Sequence, residues 1–78
     1  MKTTQYFEYT RKHSDRAGIQ EDWIRAVVEN PEKVETQSDG RIRKWGKVLE
    51  AGKYLRVILL EDAETVHNAF FDRSYKGE

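Results

Sequence analysis

The sequence has no cysteine and a single proline among its 78 residues. Without cysteine there is no disulfide, no thiol catalysis and no cysteine-ligated zinc. A surplus of one charge is missing too, because 14 Lys and Arg cancel 14 Asp and Glu. Such a chain does not coat nucleic acid indiscriminately, although a local patch of cations still attracts phosphate. No apolar run is long enough to span a bilayer, and the opening "MKTTQYFEYT" has no signal-peptide core. The expectation is a cytoplasmic protein that stays off membranes. The only histidines are His13 and His67, and no pair of ligand residues has a recognisable metal spacing, so neither metal nor cofactor is expected. The five glycines form no phosphate loop, and no serine lies in a nucleophile motif.

What is present is charge and aromatic rings. Charged residues make up 36% of the chain and hydrophobic ones 37%, a balance that by itself borders on disorder. Nine aromatic residues argue for a folded core: Tyr6, Phe7, Tyr9, Trp23, Trp45, Tyr54, Phe70, Phe71 and Tyr75. The length allows one small domain, residues 1–78, which buries only about 60% of its unfolded surface. A surface groove or a site shared with a partner suits it better than an enclosed cavity.

Periodicity and turn residues predict the elements. Tyr6–Tyr9 reads as a short strand, and Thr10 as the N-cap of a helical stretch, "RKHSDRA", stopped by Gly18. A second helix begins near Gln20, with Glu21 and Asp22 at its positive end and Ile24, Val27 and Val28 on one face. Asn30-Pro31 ends it. Val34–Ser38, Arg41–Leu49, Tyr54–Leu60 and Thr65–Phe71 then read as four strands of a meander, with Asp39-Gly40 as a hairpin signal. The predicted class is α+β: N-terminal helices on one face of an antiparallel sheet of three to four strands.

Taking Ala51-Gly52 and Asp62-Ala63 as turn tips sets Lys47 against Arg56, Trp45 against Ile58, Leu59 against Val66, Ile58 against His67 and Leu55 against Phe70. One face then carries Val48, Leu55, Val57, Leu59, Val66 and Phe70 for the helices to cover, with Lys44 and Asn68 at its margins. The other carries Arg43, Trp45, Lys47, Leu49, Tyr54, Arg56, Ile58, His67 and Phe71. The simplest register of the first strand puts Val34 on this second face and Glu35 on the core face. Cations around aromatic rings and a histidine suit a phosphate with a stacked base. The plainer alternative is a solvated sheet face neutralised by nearby carboxylates. Arg11, Lys12, His13 and Arg16 form a second basic cluster of the kind common on solvated helix faces, and Glu21 with Arg25 forms an i, i+4 pair. The apolar residues of the open face call for a cover: the C-terminal "RSYKGE", a second subunit or a partner.

From Asp39 onward, "DGRIRKWG", "GKYLRVILLED" and "ETVHNAFFDR" are similar to a group of small bacterial proteins of unknown function. More distantly, the order of short strand, helices, "NPEKV", three antiparallel strands and a trailing Arg-Ser-Tyr resembles the RelE/ParE-like toxin superfamily. That resemblance implies a metal-independent endoribonuclease acting on messenger RNA, often on ribosomes, and held inactive by a cognate antitoxin. It points to Arg43, Lys47, Arg56, His67, Arg73 and Tyr75.

Two functions are therefore expected to compete. In the first, a toxin-like protein cleaves or binds RNA. Lys47 and Arg56 stabilise the scissile phosphate, and His67 is general acid or base. Arg41, Arg43, Trp45, Tyr54, Arg73 and Tyr75 hold the RNA, with Trp45 or Tyr54 stacking a base. In the second, the same face is a non-catalytic module that binds a protein partner or a second copy of itself.

Overall fold

The computed structural model describes residues 1–13 and 16–77. The helices are α1 (Gln5–Thr10) and α2 (Glu21–Glu29). The strands are β1 (Lys33–Thr36), β2 (Ile42–Val48), β3 (Lys53–Leu59) and β4 (Val66–Phe71), in the order β1-β2-β3-β4. All three strand pairs are antiparallel. The expected α+β architecture is what the chain adopts, with two helices packed against one side of a four-stranded sheet.

The predicted strand at Tyr6–Tyr9 is instead helix α1. Thr4 caps it, its side-chain oxygen accepting the Phe7 N–H at 3.0 Å. Phe7 and Thr10, one turn apart, are buried, while Tyr6 and Tyr9 face outward. Thr10 is therefore the last residue of a helix and not a cap, and its hydroxyl donates to the Phe7 carbonyl. Of the predicted helix "RKHSDRA", the described residues form hydrogen-bonded turns; Ser14 and Asp15 lie outside the described residues. The N-terminal strand signal has a small counterpart, a parallel bridge of Thr3 to Val66 at the β4 edge.

The second helix and the meander stand close to their predicted bounds. Ile24 and Val27 of α2 bury against Val48, Leu55, Val57 and Leu59, and Phe7, Ile19, Val66 and Ala69 complete the core. Lys44 Nζ donates to the Val28 carbonyl at 2.9 Å, placing a cation at the negative end of α2.

The register differs from expectation in all three strand pairs, in two because of the loop length and in the third because of a bulge. Gln37 donates to the Arg41 carbonyl, so the first hairpin closes on a three-residue loop with Gly40 at φ 90°. This moves β1 by one residue: Val34 lies opposite Lys44 on the helix side, and Glu35 opposite Arg43 on the open side. The β2–β3 loop is Leu49–Gly52, which shifts the pairing by two residues and leaves both faces as predicted. Lys47 thus faces Tyr54 and not Arg56, and Trp45 faces Arg56 and not Ile58. Leu59 does face Val66, but a bulge follows, and from Asn68 onward β4 is displaced by one. Asn68 and Phe70 therefore lie opposite Ile58 and Arg56 on the open face, while Ala69 and Phe71 turn to the helix side, against the prediction for Asn68, Phe70 and Phe71.

Candidate nucleic-acid interface

Arg43, Trp45 and Lys47 alternate along β2, and Tyr54, Arg56 and Ile58 along β3, so pleating puts all six side chains on the open face. Trp45 is central and only 5% exposed. Its indole N–H donates to Asp72 Oδ2 at 2.9 Å. Tyr75 stacks on it with centroids 5.4 Å apart, and Tyr54 meets Tyr75 edge-on at 5.0 Å. The Tyr75 hydroxyl donates to Glu32 Oε2 at 2.7 Å, so the C-terminal segment straps the open face to the start of β1. The expected cover for Trp45 is thus within the chain.

The Arg56 guanidinium lies between two rings, 5.5 Å from the Trp45 centroid and 5.1 Å from that of Phe70. Asp72 is its carboxylate partner at 3.7 Å. Burial alone raises the Asp72 pKa. Hydrogen bonds from the Ser74 hydroxyl, the Trp45 indole and the Ser74 N–H, with the charge of Arg56, outweigh it and lower the value to about 2. Arg43 reaches Glu35 at 3.6 Å, and the Nε atoms of Arg43 and Arg56 are buried without a hydrogen-bond partner among the described residues. Arg41 pairs with Asp39 at 3.8 Å. Lys47 is exposed, its ammonium 5.8 Å from the Tyr54 ring. Arg73 is exposed beside a cavity of about 260 Å3 that Tyr54, Tyr75 and Lys76 also line.

His67 sits at the β4 bulge, stacked on Tyr6 at 4.8 Å and with Nδ1 3.1 Å from the Thr4 hydroxyl oxygen. That oxygen also accepts the Phe7 N–H, so Thr4 ties His67 to the start of α1. Burial, and after it the charge of Arg41, hold the His67 pKa below the ordinary 6.5.

The three residues assigned to catalysis do not converge. Lys47 pairs with Tyr54, and His67 lies at the bulge beside Ile58, four residues further along β3. At roughly 3.3 Å per residue they are separated by about 13 Å along the strand. Arg56 lies between them, held by Asp72. Sequence reasoning missed Asp72, Phe70 and Glu32. For Asp72 a signal existed: Asp-Arg-Ser is an Asx-turn pattern, realised in the Ser74 N–H to Asp72 Oδ1 bond of 3.0 Å.

Among the described residues no three His, Asp or Glu side chains are grouped to hold a metal ion, and no helix is long and apolar enough to cross a membrane. The architecture defines a small α+β protein with a basic and aromatic sheet face. No protein-family model, curated protein or solved structure matches the chain.

Proposed function

We propose that this protein is a toxin-like RNA-binding protein that engages the phosphodiester backbone through the open face of its sheet. The observation that carries the reading is the set of guanidiniums on that face. Arg43 and Arg56 are half-buried and oriented by the sheet, yet meet their carboxylates only at 3.6 and 3.7 Å. Such loose pairs are readily exchanged for the bidentate contacts that guanidinium makes with phosphate. Lys47, without a carboxylate in ion-pair range among the described residues, extends the row toward Tyr54. The separation of Lys47 from His67 supports binding ahead of cleavage. For strand scission the support is limited to His67, whose pKa burial and then the charge of Arg41 lower.

The test is fluorescence anisotropy with a labelled single-stranded RNA at several salt concentrations. Wild type binds at low salt, and Arg43→Gln and Lys47→Gln each weaken binding and reduce the salt slope by about one. No affinity at low salt overturns the reading. It leaves a module that binds a protein partner.

A further inference from the structure

The strap poses a problem for base recognition on the sheet. Trp45 is covered by Tyr75, and Tyr54 is engaged by the same ring. The open rings lie elsewhere. With Phe7 and Thr10 turned inward, α1 presents Tyr6 and Tyr9 to solvent, 48% and 65% exposed. A histidine supports each ring: His67 stacks on Tyr6, and His13 lies 4.8 Å from Tyr9 with its Nδ1 3.2 Å from the Tyr9 carbonyl.

Beside Tyr9 is a cavity of about 210 Å3 lined by Tyr9, Thr10, His13 and Arg16. Arg16 joins it to the sheet. Its Nη1 donates to Asn68 Oδ1 at 2.9 Å, and its guanidinium lies 5.4 Å from the centroid of Phe70, the ring that Arg56 also covers. Cations and rings therefore form a continuous path: Tyr9, Arg16, Phe70, Arg56. Arg11 is held by Glu8 at 3.7 Å. Among the described residues, neither Lys12 nor Arg16 has a carboxylate within ion-pair range.

We infer that single-stranded nucleic acid crosses the β4 edge from the sheet onto α1, with a base stacked on Tyr9 and a backbone phosphate on Arg16. This rests on the RNA-binding reading and places the stacking platform away from Trp45. A duplex is disfavoured as the occupant because its base faces are already stacked, whereas single strands offer them to aromatic side chains.

The experiment uses a fluorescein-labelled oligouridine, the same oligomer as DNA and an abasic oligomer, titrated with the full chain. Tyr9→Ala should weaken binding of the oligouridine by about 5- to 100-fold with little change in salt slope. Arg16→Gln should lower the slope by about one. Arg25→Gln, on the outer face of α2, serves as a charge control without effect. Amide shifts of the wild-type protein on titration should include Tyr9, His13 and Arg16, which tests the path without any variant. Equal affinity for the RNA and DNA oligomers assigns the site to backbone and base; a preference for RNA adds the 2′-hydroxyl, and either supports the path. Tyr9→Ala and Arg16→Gln binding like wild type, while Arg43→Gln is weakened, would confine the strand to the sheet and overturn the inference alone. Abasic and base-bearing oligomers binding equally would remove the stacked base and overturn it too. Wild type that ignores all oligomers but binds polyglutamate through Tyr9 and Arg16 would overturn inference and RNA reading together.

Discussion

Two titrating residues couple the open face to pH with opposite charge chemistry and the same sign. Asp72 has a folded pKa of about 2 against an ordinary 3.8. A depressed carboxylate binds its proton less readily when folded, so its stabilisation is complete above about pH 3.8 and is lost as pH falls toward 2. His67 is also depressed, by burial first and Arg41 second. Its contribution is complete above pH 6.5 and declines as pH falls through the folded value, because the folded state resists the second proton. Urea midpoints should therefore fall in two steps on acidification. His67→Asn keeps a hydrogen-bonding group beside the Thr4 hydroxyl and removes the upper step only. Asp72→Asn diminishes the lower step, which Asp62, also lowered to about 2 by its hydrogen bonds from Thr65 and Glu64, shares; by weakening its hold on Trp45 and Arg56 it also costs about 1–3 kcal/mol at neutral pH. A wild-type midpoint that is flat from pH 7 to 4 would contradict the His67 assignment. Thr4 connects this chemistry to the helix: Thr4→Ala removes both the α1 cap and the His67 partner, an expected loss of about 1 kcal/mol or more in the same titrations.

Helix α2 packs closely over Gly46. A β-carbon built there lies 3.0 Å from Val27 Cγ2. Val27 is buried and β-branched, with one strongly preferred rotamer in a helix, so it cannot swing aside. Gly46→Ala should destabilise by about 1 kcal/mol, the overpacking cost exceeding the gain from replacing a strand glycine. In a Val27→Ala background the sign should reverse, and a double-mutant cycle on urea denaturation reads the difference. If Gly46→Ala is stabilising with Val27 intact, the helix is not seated as closely as the packing indicates. The elements were largely legible: proline and the acidic first turn bound α2, and glycines with Asp39 and Asp62 mark the turns. Face membership on β2 and β3 was legible too, because a two-residue slip preserves it. What escaped depends on single loop residues. The Gly40 loop holds three residues and not two, and the His67 bulge exchanges Phe70 and Phe71 between faces; the bulge has no local signal in "ETVHNAFFDR". Tyr-Phe-Glu-Tyr has strand propensity, and the Thr4 cap overrides it to give helix α1.

At the scale of the whole molecule the sheet is covered twice, by helices on one side and by the C-terminal strap on the other. The basic-aromatic residues were legible as one face, but their partners were not. Asp72 and Tyr75 reach Trp45 and Arg56 from a distant part of the sequence, Glu32 holds Tyr75 in turn, and only the folded chain brings them together. The strap supplies to Trp45 and Arg56 what a nucleotide would, an aromatic ring and an anion. Removing Tyr75 and the residues after it leaves the Asp72–Ser74 turn in place and takes away the stacked ring together with its hydroxyl bond to Glu32. The shortened chain should lose about 1–2 kcal/mol, the stacked pair contributing roughly 0.5–1.5 kcal/mol beyond its buried area. With Trp23→Phe in both proteins, Trp45 emission should shift to the red and become more open to acrylamide quenching. RNA affinity then separates two routes for the strand. If bases stack on Tyr9, shortening leaves affinity nearly unchanged. If they stack on Trp45 once it is uncovered, affinity rises, and a Trp45→Ala substitution in the shortened chain abolishes the gain. Unchanged Trp45 emission and quenching would mean that Tyr75 does not cover the indole in solution, and the double cover of the sheet would fail with it.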